Sequence, residues 1–285
     1  KAHWSEHPDR DETWAETEKS RIGEERFRRE HECEFLIFDE TLISSLVLAD
    51  MEGVAPVETT GQVRWFKRPT PGMTYLVSLD PSMGTGGDYA AIQVFELPTF
   101  EQVGEWHHNM TPMNQQVRIL QGINKHIHDT IIEKDTTATP QIFYSMENNT
   151  IGEAALMRVM DIGEENIMGM FLSEPIRKGH RRKFRRGFNT TAKHKIDACT
   201  KFKELVESGK MKINSNLLIS ELKDFVATGL SYKAKPGQHD DLVSSCLLMT
   251  RMMKVLADFD PKIFEKWTDR TSEITPMPIF GSFTG

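Results

Sequence analysis

Three short carboxylate-bearing segments constrain this chain more than anything else in it: Leu79-Asp80-Pro81-Ser82, Met146-Glu147-Asn148-Asn149 and His239-Asp240-Asp241-Leu242-Val243. The first two stand where strand-forming runs give out. Thr74-Tyr75-Leu76-Val77-Ser78-Leu79 is β-branched, aromatic and aliphatic with no helical spacing, which predicts a largely buried strand. Pro81 and the glycines Gly84, Gly86 and Gly87 then force a turn. Gln141-Ile142-Phe143-Tyr144-Ser145-Met146 ends in the same way at Glu147, and the third segment opens an apolar pattern of helical period. Taken singly, Asp80 or Glu147 reads as a turn or capping residue. Taken together, the segments let one fold gather hard oxygen ligands around Mg²⁺ or Mn²⁺, ions that bind through a few carboxylates plus water and phosphate. That pattern points to metal-dependent phosphodiester hydrolysis.

The order of predicted elements sets the fold class. From residue 71 it runs strand (74–80), glycine turn, strand (89–96), strand (102–108), helix (113–130), strand (141–147), helix (151–160) and a short strand (167–172). Then come helix (193–208), a short strand at Met211-Lys212-Ile213, helix (216–227), a Gly/Pro loop and helix (240–256). Strands alternating with helices predict an α/β sheet core. Residues 8–30 are charged and helix-prone with Trp14 and Phe27 as scattered anchors, and 33–70 has the composition of a connector rather than a core. Residues 258–285, rich in Pro and Gly with isolated aromatics, predict a loosely packed or disordered tail. The Met-rich stretches (Met157, Met160, Met168, Met170, Met249, Met252, Met253) predict gap-filling core side chains.

Charge is distributed unevenly. The net −7 resides in residues 1–60, which hold seven Lys/Arg against sixteen Asp/Glu, so the remainder is close to neutral at +2. Within it, residues 177–195 contain nine basic side chains and no acid: Arg177, Lys178, Arg181, Arg182, Lys183, Arg185, Arg186, Lys193 and Lys195. A charge run is usually a solvated loop. Here Phe184 and Phe188 are interleaved and Gly179 and Gly187 give mobility, a composition suited to phosphate contacts and therefore to nucleic acid. Cys33, Cys199 and Cys246 lack ligand or disulfide spacing and are expected as reduced thiols in the cytoplasm. No stretch reaches the roughly 20 apolar residues of a membrane span, and the polar start is not a signal peptide. His107-His108 lacks a partner at zinc spacing, and Ser82 has no His base in its sequence context.

These motifs, in this order, resemble the nuclease domain of tailed-bacteriophage large terminases, most closely the myovirus type. They are Leu-Asp-Pro-Ser at 79–82, Gly87-Asp88-Tyr89, Glu147-Asn148-Asn149, Gly187-Phe188-Asn189-Thr190-Thr191, Lys212-Ile213 and His239-Asp240-Asp241-Leu242-Val243. The likeness covers residues 70–256, and residues 1–60 resemble the segment leaving the family's ATPase domain. The resemblance implies a ribonuclease H-like fold, a mixed central β-sheet flanked by helices. It also implies a metal-binding catalytic triad of Asp80, Glu147 and Asp241, with Asp240 a helper ligand or a helix cap and two ions, Mg²⁺ or Mn²⁺, in the site. The expected division is 1–70 as acidic segment and connector, 71–257 as nuclease domain and 258–285 as tail. Gly84-Thr85-Gly86-Gly87 is followed by Asp88 rather than Lys, so no phosphate-cradling P-loop is present in this sequence. The implied partners are double-stranded DNA, a portal protein, a small terminase subunit and the intact protein's own N-terminal ATPase domain, in the cytoplasm of an infected bacterium. A junction resolvase or transposase would share the acidic cluster. A non-catalytic DNA- or portal-docking module would keep the acids as structural groups.

Overall fold

The alternation of buried side chains along two central strands determines how the layers stack. In β3 (Thr74–Asp80) Tyr75, Val77 and Leu79 face one side and Leu76 the other. In β4 (Ala90–Leu97) Ile92 and Val94 join the first side, Ala91 and Phe95 the second, and every residue of the strand is buried. With a side-chain period of two, a strand apolar at every position needs cover on both faces. A fully buried aliphatic or aromatic side chain contributes about 1.5–3 kcal/mol, so neither face can be left to water.

The computed structural model of the chain describes residues 3–24, 27, 31, 32, 40–175 and 186–259. Its main sheet has seven strands in the order β1-β2-β5-β4-β3-β6-β7. The other strands are β1 (Glu58–Thr60), β2 (Val63–Trp65), β5 (Glu101–His108), β6 (Gln141–Met146) and β7 (Met170–Phe171). Pairing is antiparallel from β1 to β3 and parallel for β3/β6 and β6/β7. This is the mixed sheet flanked by helices of a ribonuclease H-like fold. The helices are α1 (Glu12–Ile22), α2 (Ser45–Asp50), α3 (Met113–Lys134), α4 (Thr150–Ile162), α5 (Ala192–Glu207), α6 (Asn216–Asp224) and α7 (Asp241–Phe259). One core places the sheet against α3 and α4, the other against α2, α5, α6 and α7. α3 shows why it covers its face: Val117, Leu120, Ile123, Asn124, Ile127 and Ile131 repeat at helical spacing and are all buried.

Five expectations need correction. The stretch 33–70 contributes to the core where it is described: Leu42, Ile43 and Leu48 are buried, and β2 joins the sheet with Trp65 laid over Gly104, where a Cβ would come within 2.8 Å of the indole. Residues 211–213 form no strand, only a bridge between Lys212 and Glu101. The helix expected over 216–227 stops at Asp224, and β8 (Phe225–Thr228) turns through Gly229 into β9 (Ser231–Ala234). Aromatic and β-branched Phe225, Val226, Thr228 and Tyr232, with Gly229 at φ +60, carry that hairpin signal. Finally, Met157, Met160, Met168 and Met170 are exposed, whereas Met249, Met252 and Met253 are buried as expected. Trp14 and Phe27, expected as scattered anchors, pack together at 6.0 Å with Trp4 beside them.

Candidate active site

The acidic residues meet at the carboxyl ends of the parallel strands. Leu79 of β3 is in register with Met146 of β6, so Asp80 and Glu147 leave neighbouring strands at the same level, and the Glu147 N–H donates to the Leu79 carbonyl at 3.2 Å. β3 is also where the sheet switches from antiparallel to parallel neighbours. Open α/β sheets present ligands outside the carboxyl ends of their strands, where Asp80 and Glu147 stand. The Glu147 end is clamped from both sides. Phe188 bridges to it in parallel, Asn148 donates to the Arg186 carbonyl, and Asn149 caps α4 by accepting from the Gly152 N–H at 2.8 Å. Gly152 is required there, because a Cβ would fall 1.8 Å from the Glu147 carbonyl oxygen.

Asp241 arrives from the other core layer. One turn along α7, the hydroxyl of Ser245 donates to the Ser78 carbonyl at 2.9 Å, and the Ser78 hydroxyl lies 2.8 Å from the Ser245 carbonyl. These buried bonds pin the first turns of α7 onto β3 just before Asp80. Asp241 Oδ2 accepts from the Tyr89 N–H at 3.4 Å and lies 3.6 Å from His239 Nδ1. Asp240 points elsewhere: its Oδ2 accepts from the Ala234 N–H at 3.3 Å and sits 3.8 Å from Lys195 Nζ.

Electrostatics mark this as a centre of unbalanced negative charge. Burial first, then the charges of Glu147 and Asp241, hold the Asp80 carboxyl well above its ordinary range, and it shares a hydrogen bond with Glu147. Burial likewise raises Asp241 to about 6, opposed by the Tyr89 N–H and reinforced by Asp240. Glu221 on α6 is pushed to about 9, again chiefly by burial. Among the described residues, no three His, Cys, Asp or Glu side chains stand close enough together to hold a metal ion as placed. The donor set nevertheless fits a divalent cation at an open site, one completed by water and substrate phosphate. The donors are all hard oxygens, and a cation would relieve the repulsion that adds to burial in raising Asp80.

A cavity of about 170 Å³ lies over the centre, lined by Asp80, Glu147, Thr190, Lys195, Ser244 and Arg251 among others. Lys195 belongs to the first turns of α5, which Thr191 caps by accepting from the His194 N–H. Of the basic run, Arg177, Lys178, Arg181, Arg182, Lys183 and Arg185 lie outside the described residues. Arg186 is engaged with Glu164 and lies over the Phe171 ring, Lys193 is exposed, and Lys195 faces the acids. Arg251 was not singled out in the sequence. It ties Thr190, Asn189 and Glu174 together at the cavity wall. Glu221 was also missed, since nothing in its local spacing marks it.

The family described as terminase RNaseH-like domain matches residues 77–252. Among solved structures, the chain is similar to the large terminase nuclease of thermophilic phage G20c with bound magnesium, at 18% identity and a TM-score of 0.55 over 75% of this chain and 97% of that one. It matches the cobalt-bound form at 18% identity and a TM-score of 0.54, over 75% and 97%. It matches the large terminase nuclease domain of Thermus phage P74-26 at 18% and 0.50, over 71% and 93%. At such identity these likenesses speak for the fold. The family match spans more than half of the sequence, and the chain belongs to the terminase RNaseH-like domain family.

Proposed function

We propose that this chain is a metal-dependent endonuclease of viral genome packaging, cutting double-stranded DNA with little sequence preference and leaving 5′-phosphate and 3′-hydroxyl ends. The observation that carries the reading is the convergence of Asp80 and Glu147 from adjacent parallel strands beneath Asp241 at the start of α7. Asp80, Glu147 and Asp241 would hold the cations, Asp80 being the shared ligand, and Asp240 would support Lys195 rather than the ions. Two bound Mg²⁺ or Mn²⁺ ions would activate the attacking water and stabilise the leaving 3′-oxygen of an in-line displacement. The magnesium- and cobalt-bound forms of the G20c nuclease support a divalent requirement here. Lys195 and Arg251 give the cavity a cationic wall against which a phosphate of the DNA strand can rest. The basic run from Arg177 to Lys195 would follow the phosphate backbone.

In this reading residues 71–257 are the nuclease domain, residues 1–70 the end of an ATPase domain and its connector, and 258–285 a tail. Portal protein, small terminase subunit and ATPase domain are the partners, in the cytoplasm of an infected bacterium. Among the described residues, no helix is long and apolar enough to cross a membrane. A junction resolvase or transposase gains no support from the family match. Plasmid nicking and linearisation with Mg²⁺, Mn²⁺ or EDTA tests the reading. Cleavage should require the metal, and Asp80→Ala should abolish it while leaving the circular dichroism spectrum unchanged. Cleavage in excess EDTA, or full activity of Asp80→Ala, would sink it.

A further inference from the structure

Asp240 is the residue before the first turn of α7, yet its carboxylate is bonded to the β9 backbone and to Lys195 instead of capping the helix. The free N–H groups of that first turn are served from another element. Glu221, on α6 with its side chain 10% exposed, accepts from the Val243 N–H through Oε2 at 3.1 Å and also from Leu242. Its Oε1 lies 3.7 Å from His107 Nε2, a buried nitrogen with no hydrogen-bond partner of its own. The His107 ring stacks on Tyr89 at 4.1 Å, and Tyr89 donates its backbone N–H to Asp241. Glu221 therefore touches both supports of Asp241: the helix end that carries it and, through His107, the residue that bonds its Oδ2.

We propose that Glu221 is a positioning residue, a cap supplied in trans by α6 that fixes the start of α7 and so presents Asp241 to the divalent ion. This rests on the reading of Asp241 as a metal ligand. A mostly buried carboxylate facing His107 and two backbone donors satisfies N–H groups that the helix leaves unpaired and so stabilises that helix end. Groups that orient a metal ligand typically change metal affinity by roughly 10–100-fold when removed.

The test is Mn²⁺ titration calorimetry together with hydrogen exchange at the Val243 amide, on wild type, Glu221→Ala, Glu221→Gln and Ile127→Ala. The last variant loses core packing in α3, away from the acids, and serves as a stability control. Glu221→Ala should bind Mn²⁺ at least roughly 10-fold more weakly and lose protection at Val243. Glu221→Gln, which keeps an accepting oxygen, should stay within about threefold of wild type. Ile127→Ala should bind as wild type does despite its lower melting temperature. Glu221→Leu fills the same space without an acceptor and replaces the alanine variant should that not fold. Wild-type affinity in Glu221→Ala or Glu221→Leu, or an equal loss in Ile127→Ala, would overturn the proposal alone. A wild-type protein that binds no divalent ion would overturn the reading of the site as well.

Discussion

At the scale of single residues, two adjacent carboxylates show how position outweighs type. Asp240 and Asp241 differ by one step of about 100° around the helix start. One meets Lys195 and the β9 backbone, the other the Tyr89 N–H beside the acidic centre. Asp241→Asn should lose metal-dependent cleavage with little loss of melting temperature, whereas Asp240→Asn, which keeps an acceptor for Ala234, should retain measurable activity. An active Asp241→Asn beside a folded but dead Asp240→Asn would reverse these roles. The raised Asp241 also predicts a pH effect in metal-free buffer. Its folded state holds the proton more tightly than the unfolded chain, so its contribution to stability is complete below the unfolded value of 3.8 and is lost as pH rises through about 6. A shift of that size corresponds to about 3 kcal/mol at most. In EDTA, the wild type should therefore lose melting temperature relative to Asp241→Asn between pH 4 and pH 7. A difference that does not vary with pH would show that Asp241 titrates normally.

At the scale of elements, the site depends on close approaches between ends. The start of α4 lies against the Glu147 carbonyl with no room for a side chain at Gly152. Gly152→Ala should cost about 2 kcal/mol or more from overpacking and should lower cleavage further than stability alone would, because the displaced carbonyl belongs to Glu147. Equal activity and melting temperature in that variant would contradict the contact. A second element-scale device links β5 to the segment before α6. Glu101 accepts from Lys212, Lys67 and Asn214, and although burial opposes it, these bonds bring its carboxyl down to about 2. Its stabilisation is complete above the ordinary 4.5 and is lost as pH falls through about 2. Glu101→Gln should consequently narrow its stability deficit against wild type as pH drops from 5 toward 2, which thermal unfolding across that range will read.

At the scale of the whole molecule, the acidic residues 1–60 and the basic run of residues 177–195 divide the charge between separate regions of the sequence. If the run tracks DNA, neutralising Arg181, Arg182 and Arg185 should weaken binding to all sequences and flatten the salt dependence by about 0.9 log units per lost phosphate contact. An unchanged slope in fluorescence anisotropy would mean the run serves a protein partner or only the solvent.

Much of this was legible along the chain. Strand and helix order from β3 to α4 follows from hydrophobic period, because a buried strand and an amphipathic helix each impose a local spacing. Asp80, Glu147 and Asp241 stand out because each ends or opens such a run. The β8–β9 hairpin went unread, although Gly229 between Phe225-Val226 and Ser231-Tyr232 signals it, because the preceding helical period of α6 runs straight into the strand. The place of Trp65 in the core depends on Gly104, thirty-nine positions away, which no local spacing encodes. Which of two neighbouring aspartates faces the centre, that Lys195 reaches the acids, and that Glu221 caps a helix not its own are set by packing between distant segments. Local sequence determines which elements form and which end in a carboxylate. Only the tertiary structure decides which carboxylates meet, since burial and charge act through space and not along the chain.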